Sequence, residues 1–293
     1  MKGAQPRLPA ARVRFEPDYP RRVAALQLRL AAARQSREGS GLGGAPGSGG
    51  DLVGFRPYRP GEDLRQLDWN LLARLDRPFV RVTRREAGER WVVALDGSAS
   101  MGVGPPGKLQ RAAECAGALV ALAGRLRAEV ELFVSGGADE RPRRYPVRAR
   151  EGHAGGFAFL EEQVAAGTHG LASVLRSGRV FADAARVFLI GDLGGLEPRE
   201  VLGLRRGSRE VRLLQLLAPS ELEPEIGARE WWDPETAERL RLDVDEARRE
   251  LYLEALEDRL ELWRGLAARH RLGFTARSTA EPFEALVEEL FAG

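Results

Sequence analysis

Apolar positions follow two rhythms along this chain, and the change falls near residue 90. From Trp91 onward, short apolar runs alternate with helix-spaced ones. WVVAL (91–95), VELFV (130–134), VFLI (187–190) and VRLLQLL (211–217) have the length and β-branched content of buried strands. Between the first two lies KLQRAAECAGALVALAGRLRA (108–128), which predicts a helix of about twenty residues. REWWDPETAERLRLDV (229–244) alternates polar and apolar residues around the turn Asp233-Pro234-Glu235-Thr236 and predicts a hairpin. Asp245 to His270 predicts a long helix with Leu256, Leu260, Trp263 and Ala267 on one stripe. GFTAR (273–277) predicts a last strand, and Pro282 to Phe291 a last helix. Strand and helix in alternation imply an α/β fold, a Rossmann-type parallel sheet flanked by helices on both faces.

The first 86 residues follow no such rhythm. Residues 21–34 space Val23, Leu26, Leu28 and Leu30 among arginines, as in a short amphipathic helix. Seven of the twelve residues from Gly39 to Gly50 are glycine, which predicts a loop. Residues 51–86 mix aromatics, arginines and acids without clear periodicity. The expected division is therefore a small, partly irregular N-terminal lobe over 1–86 and an α/β domain over 87–293, with the hairpin near 228–243 inside the latter.

Composition narrows the function. Forty-five basic residues against 43 acidic ones give a formal charge of +2, which makes no case for nucleic acid or an anionic membrane surface. Only Lys2 and Lys108 are lysines, and the bias toward arginine runs through the whole chain. Cys115, the single cysteine, lies in an apolar stretch and reads as a small core residue. His153, His169 and His270 are scattered, which argues against a histidine metal site or relay. The N-terminus lacks the apolar segment of a secretory signal, and the longest uncharged apolar run, Cys115 to Gly124, is too short to cross a bilayer. A cytoplasmic protein without membrane insertion is expected.

The candidate chemistry lies at the end of the first strand of the alternating region, Leu95-Asp96-Gly97-Ser98-Ala99-Ser100-Met101-Gly102. In open α/β sheets ligands bind beyond the carboxyl ends of the strands. A carboxylate followed by two hydroxyls at spacing two can turn three hard oxygens toward one point, a donor set for Mg²⁺ or Mn²⁺ rather than zinc. Thr168, after Ala166-Gly167, and Asp192, after VFLIG, occupy equivalent loop positions. An ion held by so few charges favours a carboxylate from outside as its last ligand. Asp96 and its serines also suit a helix cap or Asx-turn, and Thr168 a helix N-cap.

Asp96, Ser98, Ser100, Thr168 and Asp192 together resemble the metal-ion-dependent adhesion site of von Willebrand factor A domains, D-x-S-x-S followed by a Thr and an Asp. A second resemblance covers nearly the whole chain. Arg56, Tyr58, Pro60, Gly61, Asp63, Arg65, Asp68, Trp69, Ala73 and Arg74 resemble the R-x-Y-x-P-G-D-D-x-R-x-I-D-W-x-x-x-A-R block of domain-of-unknown-function family 58, whose members carry it just before a von Willebrand A-like domain. Glu62 stands where that block has its first Asp. The resemblance implies a von Willebrand A-like fold from about residue 87 and a working partnership with a MoxR-type AAA+ ATPase. Many members have N-terminal transmembrane helices, and membrane attachment is not expected to carry over. Read from its residues alone, the block is either an ion-pair network with an aromatic plug joining lobe to sheet, or a direct binding surface. Its nine arginines against seven acids over residues 51–90 make no nucleic-acid patch. Trp231, Trp232 and Trp263 read as core.

Together these point to a non-catalytic adaptor that uses Mg²⁺ (or Mn²⁺) to grip an acidic side chain on a protein partner. The rival is a nucleotide-binding enzyme, because Gly102 to Lys108 fits G-x-x-x-x-G-K ahead of a helix. Against it, Leu109 stands where Ser or Thr should hold Mg²⁺, and Pro105 and Pro106 remove two backbone donors from the phosphate cradle.

Overall fold

The computed structural model describes residues 12–38, 52–58, 67–83, 89–137, 141–148, 153–176, 178–205, 209–233, 235–236 and 238–292. In chain order the elements are α1 (Tyr19–Glu38), β1 (Leu52–Pro57), α2 (Trp69–Leu75), β2 (Phe79–Thr83), β3 (Arg90–Leu95), α3 (Lys108–Arg125), β4 (Glu129–Val134), β5 (Arg143–Val147), α4 (Ala154–Glu161), α5 (Leu171–Leu175), β6 (Arg186–Gly191), α6 (Pro198–Leu202), β7 (Glu210–Leu217), α7 (Pro219–Leu222), β8 (Gly227–Trp232), β9 (Arg239–Val244), α8 (Glu246–His270), β10 (Gly273–Ser278) and α9 (Phe283–Ala292).

The apolar runs become strands because each has two covered faces. In β3, Trp91, Val93 and Leu95 enter one core cluster, while Val92 and Ala94 enter a second on the opposite face. The first cluster takes in buried residues of α1, α3 and α9; the second takes in residues of α5, α6 and α8. That two-sided demand is why WVVAL is apolar throughout rather than alternating. The single cysteine, Cys115, is fully buried in the first cluster. Trp263 is buried in the second and stacks on Phe274 at 6.1 Å between ring centroids.

Six strands form the main sheet in the order β10-β7-β6-β3-β4-β5. All neighbours run parallel except β4 and β5. The antiparallel edge strand β5, Arg-Arg-Tyr-Pro-Val, has no strand-like periodicity, and its mostly exposed edge position tolerates Pro146. The chain leaves β3 for β4 and β5 on one side, then returns to β6 on the other side of β3. A crevice at the carboxyl ends of β3 and β6 follows from that reversal.

The chain divides into two compact units, Met1–Ala32 with Glu89–Gly293, and Ala33–Gly88. This differs from a lobe covering all of 1–86. Tyr19, Val23 and Leu26 of α1 are buried in the first core cluster, and the Tyr19 hydroxyl donates to the Glu114 carbonyl of α3 at 2.5 Å. The second unit is also more regular than its sequence suggests. β1 and β2 pair antiparallel from Pro57 opposite Phe79 to Leu52 opposite Thr83. Their register shifts between Leu52 and Gly54, which blurs any period of two. The hairpin falls where expected, as β8 and β9, with the Asp233 carboxylate accepting from Glu235 N and Thr236 N in its turn. The Gly-rich stretch from Gly39 to Gly50 lies outside the described residues.

Candidate metal centre

Asp96 is the first residue beyond β3, and its backbone N–H still donates to the Ile190 carbonyl of β6 at 2.9 Å. It is 2% exposed. Its Oδ1 accepts from Ser98 N at 2.9 Å, an Asx-type turn, and lies 3.4 Å from the Ser135 hydroxyl. These donors are uncharged. Burial pushes the Asp96 carboxyl up to about 6, against hydrogen bonds from Ser98 that favour the anion, with the nearby charge of Asp192 raising it further. A buried carboxylate held this way is one that a cation would stabilise.

Two glycines let the strand ends come together. A Cβ on Gly191, at the end of β6, would lie 2.3 Å from the Asp96 Cβ. A Cβ on Gly97 would lie 2.2 Å from the Ser135 carbonyl oxygen. Neither position has room for a side chain. After Gly97 the chain turns through a 3₁₀ segment, Ala99–Gly102, which brings the Ser98 and Ser100 hydroxyls to 3.1 Å from each other. Adjacent oxygens around an octahedral Mg²⁺ at about 2.1 Å stand about 3.0 Å apart, so this pair fits one edge of such a shell. Among the described residues no group of three or more His, Cys, Asp or Glu side chains gathers, so a metal here depends on hydroxyl oxygens. That donor chemistry fits a hard divalent ion.

Asp96, Thr168, His169, Gly170, Arg176 and Asp192 line one cavity of about 210 Å³. Ser98 and Ser100 adjoin Asp96 but do not line this cavity. Thr168 is exposed, with its hydroxyl 3.2 Å from His169 Nδ1. It is not a helix cap: the residue preceding α5 is Gly170, whose Cα side faces Asp96 Oδ2. Ser173 lies inside α5 and donates to the Gly170 carbonyl at 2.8 Å.

Asp192 follows Gly191, and its charge is handled differently. Oδ2 accepts from Lys108 Nζ at 2.7 Å and Oδ1 from Gly194 N at 2.9 Å. Lys108 Nζ also donates to Glu221 Oε1 at 2.8 Å, and the lysine is 1% exposed. Burial acts to lower the Lys108 ammonium, but Asp192 and Glu221 outweigh it and hold the pKa above the usual lysine value. This geometry corrects the nucleotide reading. The lysine of Gly102 to Lys108 points into the protein and is held by two carboxylates, leaving no ammonium for a phosphate.

Glu221 is a site neighbour that sequence reasoning missed, and Lys108 one that it read only as a phosphate-binding lysine. One signal existed: in a chain with 43 arginines among 45 basic residues, a lysine at the start of an apolar helix marks a place for a compact ammonium rather than a planar fork. Glu221 carried no comparable mark.

The other candidate residues lie in the second unit. Arg56 is part of β1, and Tyr58 N donates to the Pro78 carbonyl at 2.9 Å. Asp68 caps α2, its Oδ1 accepting from Leu71 N at 3.0 Å. Trp69, the first residue of that helix, is 63% exposed. Arg74 sits exposed in the last turn, where a cation complements the helix dipole. Asp63 and Arg65, with Pro60, Gly61 and Glu62, lie outside the described residues.

Comparison with known proteins places the sequence. The family model described as "Protein of unknown function DUF58" matches residues 54–261. The chain belongs to that family. This DUF58 chain is 36% identical over 102 residues to uncharacterized proteins of Mycobacterium bovis and Mycobacterium tuberculosis. The match covers 33% of this chain and 32% of each relative, so the chain spans about a third of their length. Among solved structures, BatB from Bacteroides thetaiotaomicron aligns over 70% of this chain and 98% of its own, with 15% identity and a TM-score of 0.42. The SpRpn10 VWA domain aligns over 70% of this chain and 95% of its own, with 8% identity and a TM-score of 0.38. The DUF58 chain has an α/β fold, a mostly parallel, Rossmann-type sheet with helices on both faces. Among its described residues no helix is long and apolar enough to cross a membrane.

Proposed function

We propose that this DUF58 chain is a non-catalytic, metal-dependent adaptor. Asp96, Ser98 and Ser100 would hold Mg²⁺ or Mn²⁺, with Thr168 and Asp192 completing the surround. When bound, the ion would offer a coordination position to a carboxylate on a protein partner. The chain's own part is to bury Asp96 among uncharged donors, to set two hydroxyls beside it, and to leave one side of the group open as a cavity. A single observation carries the reading: the 2%-exposed Asp96 carboxylate meets no protein cation in its hydrogen bonds, while the hydroxyls of Ser98 and Ser100 lie 3.1 Å apart next to it. The partner class, an AAA+ ATPase of the MoxR type or its substrate, is inherited from the family resemblance. A cytoplasmic setting belongs to the same proposal and agrees with a lone, buried, unpaired cysteine.

Titration calorimetry of the purified chain with MgCl₂ and MnCl₂ tests it. Wild type should bind one ion, and Asp96→Ala should bind none while keeping its circular dichroism spectrum. Equal affinity in the two proteins would refute the site.

A further inference from the structure

We infer that Lys108 is a built-in competitor for the divalent ion at Asp192, and that Glu221 is the alternative seat that lets the ion win. The inference rests on the metal-dependent reading above and names how that site is regulated. Lys108 Nζ lies 2.7 Å from Asp192 Oδ2 and 2.8 Å from Glu221 Oε1, so one ammonium is shared between two carboxylates. Asp192 faces the cavity that Asp96 and Thr168 also line. With Gly194 N on Oδ1 and the ammonium on Oδ2, both Asp192 oxygens are already engaged. A divalent ion reaching Asp192 through the carboxylate's remaining lone pairs, directly or by way of a bound water, meets the repulsion of that ammonium and favours its shift away from Asp192. Lys108 cannot leave for solvent, because it is 1% exposed, and an unpaired buried ammonium is costly. It can, however, rest on Glu221 alone. Glu221 is fixed for that task, since its other oxygen accepts from Ala218 N at 2.6 Å. A shared cation thus becomes a two-position device: on both carboxylates without the ion, and mainly on Glu221 with it.

The device predicts effects of opposite sign at its two ends. Lys108→Met removes the competitor and frees Asp192. Mg²⁺ and Mn²⁺ affinity should rise about tenfold or more, because one opposing charge a few ångströms away is lost at the effective dielectric of a protein surface. Glu221→Gln removes the negative charge of the alternative seat and biases the ammonium toward Asp192, so affinity should fall several-fold. A purely structural role for Lys108 would weaken binding in both variants or change neither. Calorimetry of the full chain with MgCl₂ and with MnCl₂ alone, on wild type and both variants, decides the matter. Tighter binding in Lys108→Met and weaker binding in Glu221→Gln support the device, and so does ion binding that appears only in Lys108→Met. Unchanged or weaker binding in Lys108→Met, with wild type binding normally, overturns the device and leaves the metal site standing. Absence of binding in every protein overturns the metal reading itself, and the device with it. If Lys108→Met does not fold, Glu221→Gln carries the test alone, and unchanged affinity there overturns the inference.

Discussion

Asp96 and Asp192 leave neighbouring parallel strands whose last paired residues are Leu95 and Ile190, so the two carboxylates begin from nearly the same level of the sheet. Their surroundings then diverge. Asp96 is sealed from solvent and receives its hydrogen bonds from a backbone N–H and a hydroxyl. Asp192 keeps some exposure and is paired with an ammonium that is itself buried. Elsewhere in the sheet, buried Glu131 of β4 shows the commoner solution, with Arg90 and Arg144 both on its carboxylate. The contrast teaches where an external cation is wanted. On the proposed reading, a carboxylate paired with the protein's own lysine must give up part of that pairing to serve an ion, whereas one supported only by neutral dipoles need not.

The sharpest way to break this comparison is to remove the lysine. Lys108→Met should lower unfolding free energy by about 3–5 kcal/mol, the usual cost of breaking a buried pair from one side. Urea denaturation monitored by tryptophan fluorescence measures it. Asp96→Asn has no ion-pair partner to strand and should leave metal-free stability within about 1 kcal/mol of wild type. A large loss in Asp96→Asn together with a small one in Lys108→Met would invert the assignment of roles.

Ion affinity should separate the two aspartates next. Asp96→Asn should lose more than about 100-fold in Mn²⁺ affinity and Asp192→Asn about 10- to 100-fold, the range typical of groups that support the ligands rather than dominate them. Electron paramagnetic resonance of free Mn²⁺ reads both. Equal losses would show that Asp192 is a ligand of the same rank as Asp96.

Gly191→Ala probes the contact that brings the two strand ends together. Its new Cβ would meet the Asp96 Cβ at 2.3 Å, so backbone must shift, at a cost of about 1–3 kcal/mol. The displacement should weaken Mn²⁺ binding as well, because it moves Asp96 away from Ser98 and Ser100. A stable variant with wild-type affinity would show that the close approach is incidental.

The smallest effect belongs to an ordinary, partly exposed pair that serves as a reference for both aspartates. Arg22 of α1 holds Glu284 of α9 through two hydrogen bonds of 2.7 Å. Partial burial acts to raise the Glu284 carboxyl, but hydrogen bonds from Arg22 overcome it and set the pKa below the usual glutamate value. A depressed carboxyl stabilises the fold above its unfolded value of about 4.5 and loses that contribution as pH falls through the folded value. Arg22→Met should therefore cost about 1 kcal/mol at pH 7, and the gap to wild type should close as pH falls below the folded value. Urea midpoints at pH 7 and pH 3 check it. A gap that persists at pH 3 would mean that lost packing of the arginine stem, not its charge, sets the cost.

What the sequence determined by itself was whatever depends on near neighbours and on periodicity. The apolar runs marked β3, β4, β6 and β7, and the helical spacing marked α3 and α8, because a strand or helix with covered faces must repeat its apolar residues at the matching period. Aspartate-x-serine-x-serine was legible for the same reason: Asp96, Ser98 and Ser100 lie within five residues, and local turn geometry largely sets the approach of one hydroxyl to the next. Tertiary structure decided everything that joined distant residues. Lys108 meets Asp192 and Glu221 across 84 and 113 positions, and no local pattern distinguishes a lysine turned inward from one reaching for phosphate. Helix α1 precedes the glycine-rich stretch yet packs with the sheet, because the first face of β3 needed a cover that its nearest helices did not supply alone. The polar edge strand β5 was illegible because an edge position removes the two-sided burial that writes a strand into sequence.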